Sequence, residues 1–525
     1  MHGARAAGSG CANGVRSMPL RVLIQWCSVA FSVPVSLCAV IVVDPAGGGD
    51  EVSMTRAVEN AANGDVIVLV PAVYYSTFDV IDKSVTVRSI DPENPLIVAA
   101  TVIDRRFEPR SIVVIGGGLE LSGVTVRDGA LQETRAITAR FAHLAIANCV
   151  FQNNGFYVEQ SGGAIYLNDS TISLVNCALL GNRGYTSGSA IFANRCHLEI
   201  NRCWFEGNQT TFIPRFPEEE HSRRRTIVAR SSQIEMADTT IIGETVWIDG
   251  SPSVEIERCR IYQLAGVQAL GIGDCPSAIV RDSLILSIGV GPESGTACIT
   301  SGCNLSLTGC AIVGGTIGVS TQPPWILTAR GNLFYQNGYG VIFGDTPESG
   351  YYTIRDNCFF GSIWGAMLMR YVGFIDIPGN LRVDPRVVTP GSWDLNGTPE
   401  SADDLYTPGD YRLRPDSPLI NAGPTDLVYG PDARDFFGRV RVAGGRVDIG
   451  YHEYPEAGDL DGDGNLTWFD VDPFVLALLD PAAHAVQFPL ADREAAGDVN
   501  RDGRVDLFDI PAFVDRVSAI GDPRP

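Results

Sequence analysis

Two stretches near the C-terminal end have the residue types and spacing to hold a hard metal ion. Asp459-Leu460-Asp461-Gly462-Asp463-Gly464-Asn465-Leu466-Thr467-Trp468-Phe469-Asp470 places oxygen side chains at positions 1, 3, 5, 9 and 12 of a twelve-residue loop, with glycine at position 6. Asp498-Val499-Asn500-Arg501-Asp502-Gly503-Arg504-Val505-Asp506-Leu507-Phe508-Asp509 repeats the arrangement 39 residues later, from 459 to 498. Calcium takes six to eight oxygens at loose geometry, and alternate residues of a tight loop converge on one point where glycine permits the sharp turn. Position 7 binds through its carbonyl, so Asn465 and Arg504 both suit it. The expectation is two Ca²⁺ ions. Asp459, Asp461, Asp463, Asn465 and Asp470 would hold one, and Asp498, Asn500, Asp502, Arg504 and Asp509 the other. Thr467 and Asp506 would contribute directly or through water.

The segments after the two loops match as well: Phe469 with Phe508, Val471 with Ile510, Phe474 with Phe513, Val475 with Val514, Leu478 with Val517. The spacing predicts one amphipathic helix after each loop. With aspartate at position 12 and one helix per loop, residues 456–525 resemble a type I-like dockerin, a small helical module with paired F-hand calcium loops. The resemblance implies docking to a cohesin-like or other surface receptor protein. In dockerins, positions 10 and 11 commonly carry small hydroxyl residues that meet the partner. Here they are Trp468-Phe469 and Leu507-Phe508, and at least one aromatic of each pair is expected in the core, which puts binding to well-known cohesins in doubt. From Gly458 onward there are fourteen Asp or Glu against five Arg and no Lys, so calcium and folding of this module should be coupled.

The elements that carry this module must come from the rest of the chain. The 525 residues include 57 glycines, 45% hydrophobic and 19% charged residues, a composition for strands and tight turns. A phrase recurs: Asn148-Cys149-Val150-Phe151, Asn176-Cys177-Ala178-Leu179, Arg202-Cys203-Trp204-Phe205, Arg258-Cys259-Arg260-Ile261, Gly309-Cys310-Ala311-Ile312 and Asn357-Cys358-Phe359-Phe360. One copy takes about two dozen residues, a solenoid period. Short Val/Ile/Leu segments separated by Gly, Asn and Asp read as strands and turns. The fold class expected is mainly β: a right-handed parallel β-helix followed by the small α-helical module. Cys149, Cys177, Cys203, Cys259, Cys310 and Cys358 are expected to form one buried ladder of thiols. Cys196, Cys275, Cys298 and Cys303 fall outside that register, and a disulfide among them stays open.

Both ends of such a stack need covers. Ser53 is placed to cap a helix in which Met54, Ala57, Val58 and Ala61 share a face, stopped by Gly64. With Val43-Asp44-Pro45, Gly47-Gly48-Gly49, Gly64-Asp65-Val66-Ile67-Val68-Leu69, Pro71 and Tyr74, this opening resembles that of pectate-lyase-like right-handed β-helix proteins. Residues 40–455 are read as the β-helix, with 381–455 as its C-terminal cap. Tyr411-Arg412-Leu413, residues 417–423, Asp435 to Arg439 and Val447 to Tyr454 resemble the closing segment of exported bacterial β-helix proteins. Asp435, Arg439, Asp448 and Glu453 read as a salt-bridged cap rather than a binding cluster.

Residues 1–39 read as a signal peptide: Arg5, Arg16 and Arg21 precede an apolar run from Val22 to Leu37, followed by Ala39. The run is broken by Pro34 and is too short for a membrane anchor. A secreted, extracellular or surface-associated protein is expected. The net charge of −22, with Lys83 the only lysine, argues against nucleic acid as a partner. A polysaccharide is the expected partner of the β-helix, which would bind or degrade it as a polyuronate lyase or glycosidase does. The alternative is a noncatalytic adhesion or structural protein, since fold does not settle function. For catalysis the weak candidates are His221, Arg223 and Arg224 in the polar excursion 211–226, which reads first as a solvated, self-paired loop.

Overall fold

The computed structural model describes residues 38–520, apart from 108–109, 130–134, 156–161, 185–187, 211–223, 264–267, 289–294, 324, 345–349, 363–364, 370–372, 375–377 and 395–404. The expected signal segment up to residue 37, and His221 and Arg223, lie outside the described residues.

Three long sheets run the length of a parallel β-helix. They contain 13, 12 and 13 strands in the order in which each coil visits them, and each interior strand pairs with its counterparts in the coils before and after. One coil shows the plan: His143–Ala147 in the first sheet, Val150–Gln152 in the second, Ile165–Asn168 in the third, then Thr171–Val175 back in the first. Alternation along each strand sends Leu144 and Ile146 inward and His143 and Ala145 outward. One continuous core fills the solenoid, from Val43 to Phe359.

The turn from the first sheet to the second is made in two residues. Its first residue adopts positive φ, as at Asn148 (54°), Asn176 (53°), Arg202 (51°), Asp238 (51°), Arg258 (49°) and Asp282 (49°). The second points inward and stacks on its equivalent in the next coil. That column reads Cys149, Cys177, Cys203, Thr239, Cys259, Ser283, Cys310, Asn332 and Asn357 by strand register. Where cysteine gives way to a polar residue, a hydrogen bond links the coils: Cys259 N donates to Ser283 Oγ (3.0 Å) and Cys310 N to Asn332 Oδ1 (2.9 Å). A second column, Asn154, Asn182 and Asn208, follows the second sheet, each backbone N donating to the next Oδ1 at 3.0 Å.

Cys358 is a correction to the expected ladder. It pairs with Leu333, one residue past the corner, so Asn357 takes the ladder position and Cys358 points out of the solenoid. The phrase there slips by one because Phe359, not Phe360, is the counterpart of Phe151. Cys196, Cys275 and Cys303 occupy the other corner, between the third and first sheets, which takes two residues at Cys196 and Cys303 and four at Cys275, and Cys298 lies on a third-sheet strand. All are free thiols, so the disulfide left open by the sequence does not form.

At the N-terminal end α1 (Met54–Asn60) buries Met54, Ala57 and Val58, and Ser53 accepts from Arg56 N. Lys83 Nζ donates to the carbonyls of Val58, Glu59 and Ala61 at 2.6, 3.0 and 2.9 Å. The chain's lysine is therefore spent on closing this helix. A second short helix, α2 (Pro95–Ala100), capped by Asn94, lies on the outside of the second sheet.

The C-terminal segment does more than close the far end. It folds back along the outer face of the second sheet, where Val387, Tyr411, Leu413, Leu419, Ile449 and Tyr451 pack on Leu286, Val313, Leu333, Tyr335 and Cys358. Arg441, fully buried, ties it down. Its Nε donates to Asp282 Oδ1 (2.7 Å), 159 residues earlier, its Nη1 to Glu453, and its Nη2 to the Gly450 carbonyl (2.8 Å). Asp435, Asp448 and Glu453 accept backbone N–H groups of this segment at 2.6–3.1 Å, which makes them structural.

The last segment adds α3 (Val471–Leu479), α4 (Pro481–Gln487), α5 (Arg493–Gly497) and α6 (Ile510–Ala519) around a core centred on Phe474 and Phe513, stacked at 4.0 Å. Two helices, α4 and α5, lie between the loops where none was expected. Asp480 and Asp492 cap them, and Pro481 sits at the first turn of α4.

Two buried charges give measurable consequences. Removing one partner of a buried ion pair strands the other, at a cost of about 3–5 kcal/mol, so Arg441→Met should lower the unfolding free energy read from urea denaturation by that order. A loss under about 1 kcal/mol would show that Arg441 does not anchor the segment. Glu244 is buried beneath Thr210, whose N (2.9 Å) and Oγ1 (2.6 Å) donate to its carboxylate. Burial pushes Glu244 up to about 7 despite those bonds. The folded state thus holds this proton to higher pH than the unfolded chain, and the group's contribution falls as pH rises from its ordinary value of 4.5 to about 7. Glu244→Gln keeps an acceptor for Thr210 without the ionisation. The variant should gain up to about 3 kcal/mol on wild type between about pH 5 and pH 8, read by urea unfolding across that range. A pH-independent difference would refute the assignment.

Candidate functional site

The two acidic loops fold alike. In the first, Asp459 accepts from Gly462 N and Gly464 N (both 2.8 Å), and Asp470 Oδ1 from Leu460 N (2.8 Å) and Asp461 N (3.1 Å). In the second, Asp498 accepts from Asp502 N (2.9 Å) and Gly503 N (2.8 Å), and Asp509 from Asn500 N (3.0 Å). Gly464 and Gly503, at position 6 of each loop, make the sharp turns at φ +91° and +88°. These backbone bonds bend both loops, but carboxylates come together at one point only in the first; the second brings no three of its carboxylates within 4.8 Å of one another.

In the first loop Asp459, Asp461 and Asp470 each offer an oxygen, all within 4.8 Å of one another. Burial, then the charges of Asp470 and Asp463, push Asp459 up to about 7. Asp461 and Asp470 are raised too, first by burial. Crowded carboxylates with raised proton affinity are a donor set that a divalent cation fits, since it supplies the missing charge. Asp463 and Asn465 continue the loop on its outer side. Thr467 and Asp506 instead cap the short turns that come next: Thr467 Oγ1 accepts from Phe469 N (3.1 Å) and Asp506 Oδ1 from Phe508 N (2.8 Å). Arg504 N donates to Asp502 Oδ1 (3.0 Å), and Asn500 Nδ2 to Asp502 Oδ2 (3.3 Å).

Positions 10 and 11 of the loops depart from expectation. None of the four side chains is buried: Trp468 is 42% exposed, Phe469 83%, Leu507 67% and Phe508 76%. Trp468 joins the part-exposed Val475, Ile510 and Val514 along one apolar groove. A 260 Å³ groove lies between α3 and α6, with Phe474 and Phe513 at its floor. The core aromatics are those two and not the loop pairs. So large an exposed apolar face on a small module is the mark of a contact surface.

On the β-helix a second polar cluster lies on the outer face of the first sheet. Register places Glu199 beside Glu235 and Glu235 beside Glu255, like charges directly opposite. His197 Nε2 lies 3.3 Å from Glu199 and 3.9 Å from Glu235, and one ligand atom from each of the three lies within 4.8 Å of the others. Arg281 pairs with Glu255 (2.7 Å) and Glu257 (2.8 Å) on the other side. The sequence reading missed this cluster, because period-2 alternation shows which residues face out but not which coils bring them together.

Two of the expected catalytic candidates, His221 and Arg223, lie outside the described residues. Of the three only Arg224 is described, and it adds a favourable charge near Glu244. Aromatics on the coils are taken up in packing: Trp325 is buried against Phe343 at 4.9 Å, and Tyr166 stacks on Phe192 at 5.4 Å with Arg135 over its ring. Tyr157 and Tyr185 lie outside the described residues. No helix among the described residues is long and apolar enough to cross a membrane.

No protein-family model and no curated protein matches the chain. Among solved structures, a pectate lyase is similar at 12% identity and a TM-score of 0.29, covering 77% of this chain and 91% of that one. An alginate lyase in complex with a trisaccharide is similar at 12% identity and a TM-score of 0.29, covering 68% and 88%. A periplasmic alginate epimerase is similar at 9% identity and a TM-score of 0.24, covering 61% and 77%. Likenesses this weak establish neither activity nor substrate for this chain.

Proposed function

We propose that this chain is an exported protein whose right-handed β-helix binds polysaccharide and whose C-terminal dockerin-like module, loaded with two Ca²⁺ ions, tethers it to a cohesin-like or other surface receptor. The observation that carries the reading is the duplicated acidic loop, each copy followed by an exposed apolar pair at the same two positions. A single acidic turn is common; two matched ones flanking one apolar face form a metal-organised contact surface.

Four cationic groups are already engaged, which supports binding over cleavage by any of them. Lys83 is held by three carbonyls at the N-terminal helix, and Arg258, Arg281 and Arg330 are held by carboxylates. A base that removes a proton beside a uronate carboxylate must be deprotonated and within reach of it, which none of these is. A lyase-type reading keeps one support: the His197, Glu199 and Glu235 cluster, which suits a cation that would neutralise a uronate.

Calorimetry on the full chain should find two calcium ions, and Asp459→Ala with Asp498→Ala should find none, while the β-helix keeps its cooperative melt. Heat signals that match between wild type and double variant would refute the metal assignment. Incubation with a panel of polyuronates and neutral glycans should show retention without release of unsaturated or reducing ends. Release of either by wild type but not by Glu235→Gln would move the reading to the lyase type.

A further inference from the structure

The outer face of the second sheet is closed at both ends and open between. At one end α2 lies across it, with Thr125 Oγ1 donating to the Val98 carbonyl (3.0 Å). Toward the other end the returning C-terminal segment covers the face from Leu284 onward. In the open stretch is a cleft of about 540 Å³.

Its floor is one column of the sheet: Thr125, Val150, Ala178 and Trp204, one residue per coil. Coils advance by about 4.8 Å, so the three steps span about 14 Å along the axis, a straight track for a linear polymer. The floor starts with small or branched side chains and ends on Trp204, which is 41% exposed. Its Nε1 donates to Glu206 Oε2 (2.9 Å), which fixes one edge of the indole. One rim is the corner column Asn148, Asn176 and Arg202, in which Asn176 Nδ2 donates to Asn148 Oδ1 (3.2 Å). Arg127 and Gln152 form the other rim, with Arg127 fixed by Asp104 (3.2 Å), and Glu93 and Val98 from the α2 side close the end away from Trp204.

Arg202 differs from its neighbours in this column. In the next coil Asp238 is taken by Arg258 at 2.7 Å, so it does not neutralise Arg202, which is exposed and has no ion pair among the described residues. We infer that this cleft binds a linear acidic glycan, with a sugar ring stacked on Trp204 and a uronate carboxylate held by the Arg202 guanidinium. An amphipathic aromatic offers a face to the ring's C–H groups while its N–H stays satisfied, and arginine matches a carboxylate through two parallel donors. Planar amides along the rim suit sugar hydroxyls, which both donate and accept. The inference rests on the polysaccharide reading and adds a place and a chemical class. It is separate from the carboxylate cluster on the first sheet.

Calorimetry on the full, calcium-loaded chain with hexagalacturonate, a guluronate hexamer and neutral cellohexaose tests it. Trp204→Ala and Arg202→Gln alter exposed side chains, so both should keep the wild-type melting temperature and calcium binding. Each should weaken uronate binding by about tenfold or more. Added salt should weaken binding by wild type and have little effect on Arg202→Gln. Unchanged uronate affinity in both variants would overturn the cleft and leave the polysaccharide reading standing. Cellohexaose bound as tightly as the uronates, with Arg202→Gln indifferent, would overturn the acidic class. Wild type binding none of the three would overturn the cleft and the polysaccharide reading together.

Discussion

Everything in the β-helix depends on turning a corner in two residues and landing in register with the coil before. A three-strand coil has no partner for its backbone or apolar face until the next coil stacks on it. The corner achieves this with one residue at positive φ and one aimed inward. Asparagine, aspartate and glycine tolerate the first position best, yet Arg202 and Arg258 occupy it at φ 51° and 49°. There the stacked neighbours must hold a conformation that an arginine rarely adopts. The inward residue is small, a thiol, hydroxyl or amide, since the backbone of the next coil leaves no room for more.

Strict register fixes what the outside can do. Residues with the same place in successive coils become neighbours about 4.8 Å apart, so any property repeated in the sequence is written along the axis. Glu199, Glu235 and Glu255 become a file of like charges, flanked by His197 and Arg281. Val150, Ala178 and Trp204 become a floor. Chemistry on this molecule therefore arises from columns rather than from loops.

The sequence showed the columns only where the phrase was regular. Cysteine made the corner visible, which is why the solenoid, its period and five of the six thiols are placed as read. It also misled at Cys358, where the same residue type fell one place later and turned to the outside, beneath Tyr411 and Leu419. Tertiary pairing over long separations left no local mark. Arg441 and Asp282 are 159 residues apart, and nothing in either neighbourhood marks them as partners. The loop pairs Trp468-Phe469 and Leu507-Phe508 looked like core because aromatics usually are, but the core of the small module was already filled by Phe474 and Phe513.

A net charge of −22 must be carried somewhere, and the described residues separate it into two kinds of place. In the acidic loops and the glutamate file, carboxylates stand within reach of one another, so compactness is opposed by repulsion unless a cation enters. Elsewhere many arginines are answered by a carboxylate, as Arg127 is by Asp104 and Arg439 by Asp492 of the C-terminal module at 2.5 Å. An acidic polymer approaching such a surface is repelled almost everywhere, within a screening length of about 8 Å. Its stable position is set less by attraction over a broad face than by the few places where repulsion is absent. The column that ends in Arg202, beside an exposed indole, is a place where a guanidinium offsets the nearby carboxylates of Glu93 and Glu206.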